Sequence, residues 1–204
     1  MHEVQNKAAR QQLIELRKER HAQLALQPNF EKLLHSKILM AIKEIDTIYS
    51  LNIRKIAFYW PIHGELDLRV PLLDWQRHDS NRKLALPITK RHQALQFYSW
   101  DDKTTMLKGF ANIFEPTGTE RLEPDLIIAP CVGWFFFAMQ IWRIGYGGGY
   151  YDRTLHEYQL QRSKPFILGV SFDALQTDHP IWQPQQHDYP LQGMLTESTL
   201  YLRP

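Results

Sequence analysis

Two continuous apolar runs constrain the fold of this chain more than any other feature. They read DLIIAP at residues 125–130 and PFILGVSF at residues 165–172. Uninterrupted apolar strands are typical of the centre of a parallel sheet, where both faces are covered. A helix is predicted between the two runs, at residues 150–160, so the order of strand, helix and strand indicates an α/β domain.

The region before those runs contains two long predicted helices, at residues 6–26 and 30–51. In the second helix, Leu34, Ile38 and Ile45 recur at helical spacing and form an apolar stripe. The pattern predicts an α/β fold: a doubly wound, mostly parallel sheet with helices on both faces and N-terminal helices preceding the first strand. The length suits one domain over residues 1–204. The other predicted elements are strands at residues 54–60, 83–88 and 95–100, a helix at residues 65–78 and an edge strand at residues 193–202.

The composition argues against several classes of protein. The net charge of the 204 residues is +2, so a broad nucleic-acid surface is not expected. The one cysteine cannot form an internal disulfide and no secretory leader is visible, so we expect a reducing, cytoplasmic location. The most apolar run, at residues 134–142, is too short to cross a bilayer, and no membrane partner is expected.

A glycine-rich loop, RIGYGGGYYDRTL at residues 143–155, is the first candidate for ligand binding. Glycine lets the backbone approach a ligand closely, and successive N–H groups before a helix can bind an anion. Arg143 before the glycines and Arg153 after them could each pair with a phosphate. The loop is not a P-loop because no Lys-Ser/Thr pair follows it. A flexible turn with Asp152 capping a helix is the alternative interpretation.

Two acidic residues lie in loops where a ligand could bind. Glu65 follows a predicted strand, where its carboxylate could accept hydrogen bonds from ring nitrogens, and Trp60 beside it could stack on a flat ring. Asp188, in a polar loop, could bind a hard cation such as Mg2+ together with phosphate oxygens. The alternatives are a helix N-terminal charge for Glu65, a core position for Trp60 and a turn-forming role for Asp188.

The first predicted helix contains a basic stretch, LRKERHAQL, with Arg17, Lys18 and Arg20. These side chains could reach over an anionic ligand, and a solvated basic face is the alternative.

The order of these motifs resembles the 5-formyltetrahydrofolate cyclo-ligase family, also called 5,10-methenyltetrahydrofolate synthetases. The resemblance runs from about residue 17 onward: a basic helix, then GEL after a strand, IFEP, DLIIAP, RIGYGGGYYDRTL, and GVSFD followed by HDYPL and LTES. Its most specific part is the loop from Arg143 to Asp152.

The resemblance implies an activity and a set of ligands. Members of the family use ATP and Mg2+ to convert 5-formyltetrahydrofolate, with or without a polyglutamate tail, to 5,10-methenyltetrahydrofolate, ADP and phosphate. The formyl oxygen takes the γ-phosphoryl group, and N10 then attacks the activated carbon. This chemistry needs positioning and charge neutralisation rather than a protein nucleophile. We expect a monomer or a weak homodimer.

The resemblance also implies roles for individual residues. Those implied for ATP are Arg17, Arg20, Arg143, Gly145, Tyr146, Gly147, Gly148, Gly149, Tyr150 and Tyr151. Those implied for the folate are Trp60, Glu65 and Tyr151, and those implied for the metal are Asp152 and Asp188.

The chain departs from the family pattern at two positions. Leu13 stands where a lysine is expected, and Phe135 stands where an aspartate is expected, within a longer and more apolar segment at residues 134–142. These departures leave two alternative functions open: a non-catalytic folate-binding paralogue, and an ATP-dependent enzyme acting on a related pterin or formamide.

Overall fold

The computed structural model describes residues 2–161, 164–186 and 188–203. Within these ranges the helices are α1 (His2–Ala25), α2 (Phe30–Tyr49), α3 (Arg69–Arg77) and α4 (Tyr150–Gln159), with a 3-10 helix at Asp173–Leu175. The strands are β1 (Lys55–Ala57), β2 (Lys83–Ile88), β3 (Gln96–Trp100), β4 (Met106–Lys108), β5 (Phe114–Pro116), β6 (Leu126–Pro130), β7 (Gly133–Phe137), β8 (Gln140–Ile144), β9 (Phe166–Val170), β10 (Gly193–Leu195) and β11 (Leu200–Leu202).

Seven of the described strands form one sheet, in the order β11-β10-β9-β6-β1-β2-β3. The pairs from β10 across to β2 are parallel, and the outer strands β11 and β3 pair antiparallel. Every residue of β6 and β9 is buried. The prediction of a mostly parallel α/β sheet with central strands buried on both faces is therefore confirmed.

The sheet is doubly wound about the boundary between β1 and β6. The chain moves from β1 to β2 through α3, and in the opposite direction from β6 to β9 through α4. Right-handed crossovers in opposite directions place α3 and α4 on opposite faces. At such a reversal the loops after the two strands diverge and leave a crevice, which is where ligands of open α/β sheets bind.

Helix α2 covers the sheet with the predicted apolar stripe. Its buried side chains include Leu34, Ile38, Ala41 and Ile45, and its last residue, Tyr49, lies with its ring centroid 4.9 Å from that of Phe166 on β9. Each large aliphatic side chain buried in this way contributes about 1.5–3 kcal/mol to the stability of the fold.

No helix in the described part of the chain combines the length and apolar character that a membrane span requires.

Three predicted elements have different boundaries in the structure. The helix predicted at residues 65–78 begins only at Arg69, because Glu65 belongs to a turn in which its backbone N–H donates to the Ile62 carbonyl. The predicted edge strand at residues 193–202 is a hairpin, since Thr196 and Thr199 close a turn between β10 and β11. Within the strand predicted at residues 54–60, three residues, Lys55–Ala57, form β1.

The apolar run at residues 134–142 forms most of the β7–β8 hairpin, which the sequence pattern did not predict. Trp134 is fully buried, and its Nε1–H donates to the Phe172 carbonyl at 3.1 Å. Farther along the hairpin, Phe136 and Phe137 are 48% and 47% exposed. The run lacks strict alternation of polar and apolar residues because one end of the hairpin is buried and only its tip reaches solvent.

The hairpin turn gives a prediction about stability. Ala138 and Met139 form its two-residue loop with φ of 49° and 59°, a region that favours Asn and Gly. The double substitution Ala138→Asn/Met139→Gly is expected to raise the free energy of unfolding by about 1–2 kcal/mol, measured by urea denaturation. Met139→Ala is the control, because it removes the same exposed side chain and keeps the unfavourable φ. An equal gain in both variants would contradict the explanation from backbone conformation.

Candidate active site at the glycine loop

Three cavities border the glycine loop, and two of them share most of its glycines. The first, here called the β1 cavity, has a volume of about 370 Å³ and contains residues that follow β1 and β2, including Trp60, Glu65 and Thr89. The second, here called the α1 cavity, has a volume of about 420 Å³ and lies between helix α1, the β7–β8 hairpin, the loop segment at residues 181–185 and Asp188. Both volumes lie in the range typical of small-molecule sites.

The glycine loop separates the two cavities and belongs to both. Arg143, Gly145, Gly147, Gly149 and Asp152 line each of them. Gly149 has a φ of 65° and caps α4, so the backbone turns sharply from the loop into the helix. The free N–H groups and positive dipole end of α4 favour an anion at this point. A phosphate held by the loop would therefore be in reach of ligands in both cavities.

Arg143 is a cationic side chain that lines both cavities. Its side chain is only 7% exposed, and its Nη2 donates to Asp152 Oδ1 at 2.8 Å. The guanidinium also lies over the Tyr151 ring, 4.9 Å from the ring centroid. Its Nε is buried and has no hydrogen-bond partner in the structure. A buried donor without a partner is costly, so a ligand atom at this position would be stabilised.

A buried ionic cluster supports the floor of the β1 cavity. The Arg17 guanidinium donates to Glu65 Oε1 at 3.4 Å, to the Cys131 carbonyl at 3.2 Å and to the Tyr146 hydroxyl. The Tyr146 hydroxyl in turn donates to Glu65 Oε1 at 2.6 Å, and the Ile62 N–H donates to Glu65 Oε2 at 2.9 Å. Burial raises the pKa of Glu65 above its ordinary value of 4.5, against the opposing effect of Arg17.

The GEL motif has a steric reason to contain glycine. Gly64 has a φ of 78°, and a Cβ added to it would lie 3.0 Å from the Lys18 Cα of helix α1. This close approach brings the turn after β1 against α1, and it is how Glu65 and Arg17, which are 48 positions apart, come to form an ion pair.

The structure distributes the predicted residues between the two cavities. Besides the shared residues, the β1 cavity contains the predicted positions Trp60, Glu65, Tyr146, Gly148, Tyr150 and Tyr151. Trp60 is half-buried there, with the Arg69 guanidinium 4.4 Å from its ring centroid. The hydroxyl of Tyr151 is buried without a partner in the structure, which again marks a position that a ligand or water would satisfy.

The two predicted metal ligands come together in the α1 cavity. Asp152 and Asp188 both line it, and both lie close enough to Arg10 to raise the pKa of that guanidinium, although burial outweighs them and lowers it. Among the described residues no group of three or more acidic, histidine or cysteine side chains could hold a metal ion by itself. Two carboxylates fit Mg2+, which typically combines one or two of them with phosphate oxygens and water. His187, which precedes Asp188, lies outside the described residues.

Arg17 and Arg20, predicted to reach over an anionic ligand, both make ion pairs within the protein. Arg17 is 1% exposed within its ionic cluster, and Arg20 pairs with Glu197 at 2.9 Å; neither lines the two cavities. The cation that α1 contributes to the α1 cavity is Arg10, whose Nε donates to the Gly145 carbonyl at 3.0 Å. Arg10 precedes Arg17 by seven residues, two helical turns, so the spacing could have indicated that both face the same side.

The two departures from the family pattern meet in one apolar cluster. Phe135 is buried with Val132 and Ile144, and Leu13 of α1 packs against them. An apolar contact therefore occupies the place where the pattern expects a lysine and an aspartate, and it fastens α1 to the β7–β8 hairpin.

Fold and site together define a doubly wound α/β protein with a glycine-rich loop between two cavities. Residues 3–197 match the model of the 5-formyltetrahydrofolate cyclo-ligase family. The chain belongs to this family, and it is therefore an enzyme of the ligase class.

Individual relatives agree with this assignment. The chain is 27% identical over 154 residues to the 5-formyltetrahydrofolate cyclo-ligase of Escherichia coli K12, covering 72% of this chain and 79% of that protein. It is 28% identical over 160 residues to the enzyme of the same name from Haemophilus influenzae, covering 74% and 80%.

Solved structures share the fold. The 5,10-methenyltetrahydrofolate synthetase of Aquifex aeolicus matches with a TM-score of 0.66 and 24% identity over 97% of this chain and 92% of that one. The synthetase of Mycoplasma pneumoniae matches with a TM-score of 0.64 and 21% identity over 94% and 98%.

Proposed function

We propose that this enzyme converts 5-formyltetrahydrofolate to 5,10-methenyltetrahydrofolate, with ATP consumed and ADP and phosphate released. The observation that carries the proposal is the glycine loop shared by two cavities. A transfer reaction between two substrates requires the transferred group to lie between them. The loop, the N-terminus of α4 and Arg143 provide an anion site at that boundary.

The β1 cavity suits the folate. Its lining is mostly apolar, with Trp60 and Tyr150 as ring surfaces and Glu65 as a buried carboxylate that can accept hydrogen bonds from a pterin. Arg17 and Tyr146 hold the Glu65 carboxylate in one orientation. Tyr151 lines the same cavity, and its hydroxyl, which has no partner in the structure, would be available to a bound folate.

The α1 cavity suits the nucleotide phosphates, with Arg10 and Arg143 as cations and the loop N–H groups as donors. Asp152 and Asp188 would hold Mg2+, which when bound neutralises phosphate charge. The formyl oxygen takes the γ-phosphoryl group and ADP leaves. N10 then attacks the formyl carbon and loses its proton to solvent, and the carbon–oxygen bond breaks with release of phosphate. Arg143 stabilises the charge on the phosphoryl group during transfer, and the apolar wall of the β1 cavity excludes water.

The proposal is tested by following methenyl-folate absorbance with 5-formyltetrahydrofolate, ATP and Mg2+. Product is expected only when all three are present, with one ADP formed per methenyl-folate. The Asp188→Asn variant should need more Mg2+ for half-maximal rate, because one carboxylate ligand is lost. Absence of turnover in protein with native circular dichroism would contradict the proposed activity, and turnover without ATP would contradict the phosphorylation step.

The remaining expectations concern the state of the protein in the cell. We expect one domain over residues 1–204, a monomer or weak homodimer, and a cytoplasmic location in which the single cysteine stays reduced. Size-exclusion chromatography with light scattering measures the molar mass in solution and so the oligomeric state.

A further inference from the structure

Helix α2 has a second apolar stripe, which lies outside the core. Leu33, Met40 and Ile48 are 65%, 68% and 57% exposed. They are seven and eight residues apart, about two helical turns each time, so they lie along one side of the helix. Single exposed apolar side chains are normal on a protein surface, but a set aligned at this spacing is a feature of helices that pack on another protein.

Two opposite charges lie on the same side of α2. Lys37 is three residues before Met40, and Glu44 is four residues after it. The Lys37 ammonium donates to the Ser198 carbonyl and has two further hydrogens to donate. In the part of the chain that the structure describes, no ion pair includes the Glu44 carboxylate. The five residues are here called the outer stripe: Leu33, Lys37, Met40, Glu44 and Ile48.

The outer stripe is complementary to itself when two copies of α2 are placed antiparallel. With a two-fold axis beside Met40, each Lys37 lies opposite Glu44 of the other copy. The same alignment places each Leu33 opposite Ile48 of the other copy. A parallel alignment would instead bring Lys37 against Lys37 and Glu44 against Glu44. A two-fold interface joins one patch to its own copy and must therefore be self-complementary, and the antiparallel alignment meets this condition.

From these observations we infer that two copies of this protein associate through the outer stripe, antiparallel about a two-fold axis at Met40. One exposed helix face buries less surface than a permanent dimer needs, so the complex is weak and reversible. No residue of α2 lines any of the three cavities that border the glycine loop. We therefore expect each protomer to work in the same way in the dimer and in the monomer.

The first test is sedimentation equilibrium at protein concentrations from about 10 µM to about 1 mM, a range suited to a weak complex. The mean mass of the wild-type protein is expected to rise with concentration, from that of one chain toward that of two. Met40→Lys places two like charges at the axis and should keep the mass of one chain throughout. Met139→Lys is the matched control, because it adds the same charge to another exposed methionine, at the tip of the β7–β8 hairpin, and should associate like the wild type.

The second test reverses the two charges one at a time. In Lys37→Glu and in Glu44→Lys, both contacts across the axis join like charges, and each variant should associate about 10-fold more weakly than the wild type. An equimolar mixture of the two variants should associate like the wild type. Its mixed dimer joins Glu at position 37 to Lys at position 44, and Lys at position 37 to Glu at position 44.

Native circular dichroism of each variant separates a loss of association from a loss of fold. A wild-type protein that stays monomeric at every concentration overturns the inference. So does a Met40→Lys variant that associates as strongly as the wild type. A mixture of the two charge variants that associates no better than either variant alone overturns the antiparallel pairing of Lys37 with Glu44.

Discussion

Replacing Arg17 with methionine is expected to lower the free energy of unfolding by about 3–5 kcal/mol, because the change leaves the buried Glu65 carboxylate without its cation. Both side chains are almost fully buried, with exposures of 1% and 4%. Glu65 would then keep only the Tyr146 hydroxyl and the Ile62 N–H as hydrogen-bond donors among the contacts of its carboxylate described above. Urea denaturation of the wild type and the variant measures the difference.

The double variant Arg17→Met/Glu65→Gln tests whether the loss comes from the ion pair. A neutral amide can accept from the Ile62 N–H with its oxygen and donate from its nitrogen to the Tyr146 hydroxyl, so the double variant should recover most of the stability that the single variant loses. Lys18→Met on the same helix is the matched control. It breaks an exposed pair with Glu15, which contributes about 0–1 kcal/mol. If the Arg17→Met variant is as stable as the Lys18→Met variant, the explanation from the unpaired Glu65 carboxylate is wrong.

Arg143→Lys is expected to lower kcat by about 10²–10³-fold while the protein still folds. Lysine keeps the positive charge but loses the planar donor fork, so it cannot bind Asp152 and a transferring phosphoryl group together in the same geometry. The effect should fall mainly on kcat rather than on the KM for either substrate, because the interaction proposed for Arg143 is strongest during transfer. Steady-state kinetics with each substrate varied in turn separates the two.

Arg153→Lys is the comparison, since Arg153 flanks the same loop from the other side. Its guanidinium is exposed, donates to the Gly148 and Gln93 carbonyls, and lines neither the β1 cavity nor the α1 cavity. Its kcat should stay close to that of the wild type. Equal losses in both variants would indicate that the loop needs arginine for its conformation, and the role of Arg143 in transfer would be wrong.

Much of the fold follows from local patterns. The runs at residues 125–130 and 165–172 are buried strands because continuous apolar sequence has no face to offer to water. The stripe on α2 is buried because its apolar residues recur at helical spacing on one face of the helix. The β7–β8 hairpin could not be predicted from local patterns, because its burial changes along its length. Its turn also uses Ala138 and Met139 instead of residues that favour positive φ.

The site was predictable in part. The glycine loop, Glu65 and Asp188 all lie around the two cavities, since strand ends and helix N-termini have a known relation to ligands in α/β sheets. Arg10 was not predicted to line the α1 cavity. Its spacing from Arg17 indicates a shared helix face, but no local pattern encodes which segment packs against that face.

The sequence by itself determined the order of most helices and strands, the buried centre of the sheet and the glycine-rich loop before α4, because these depend on residues close together in the chain. Only the tertiary structure decided that the loop separates two cavities, that Arg17 is buried against Glu65 and that Arg10 faces the α1 cavity. Helical spacing defines which residues share a face, but the packing of that face against distant segments decides which of them meet a ligand.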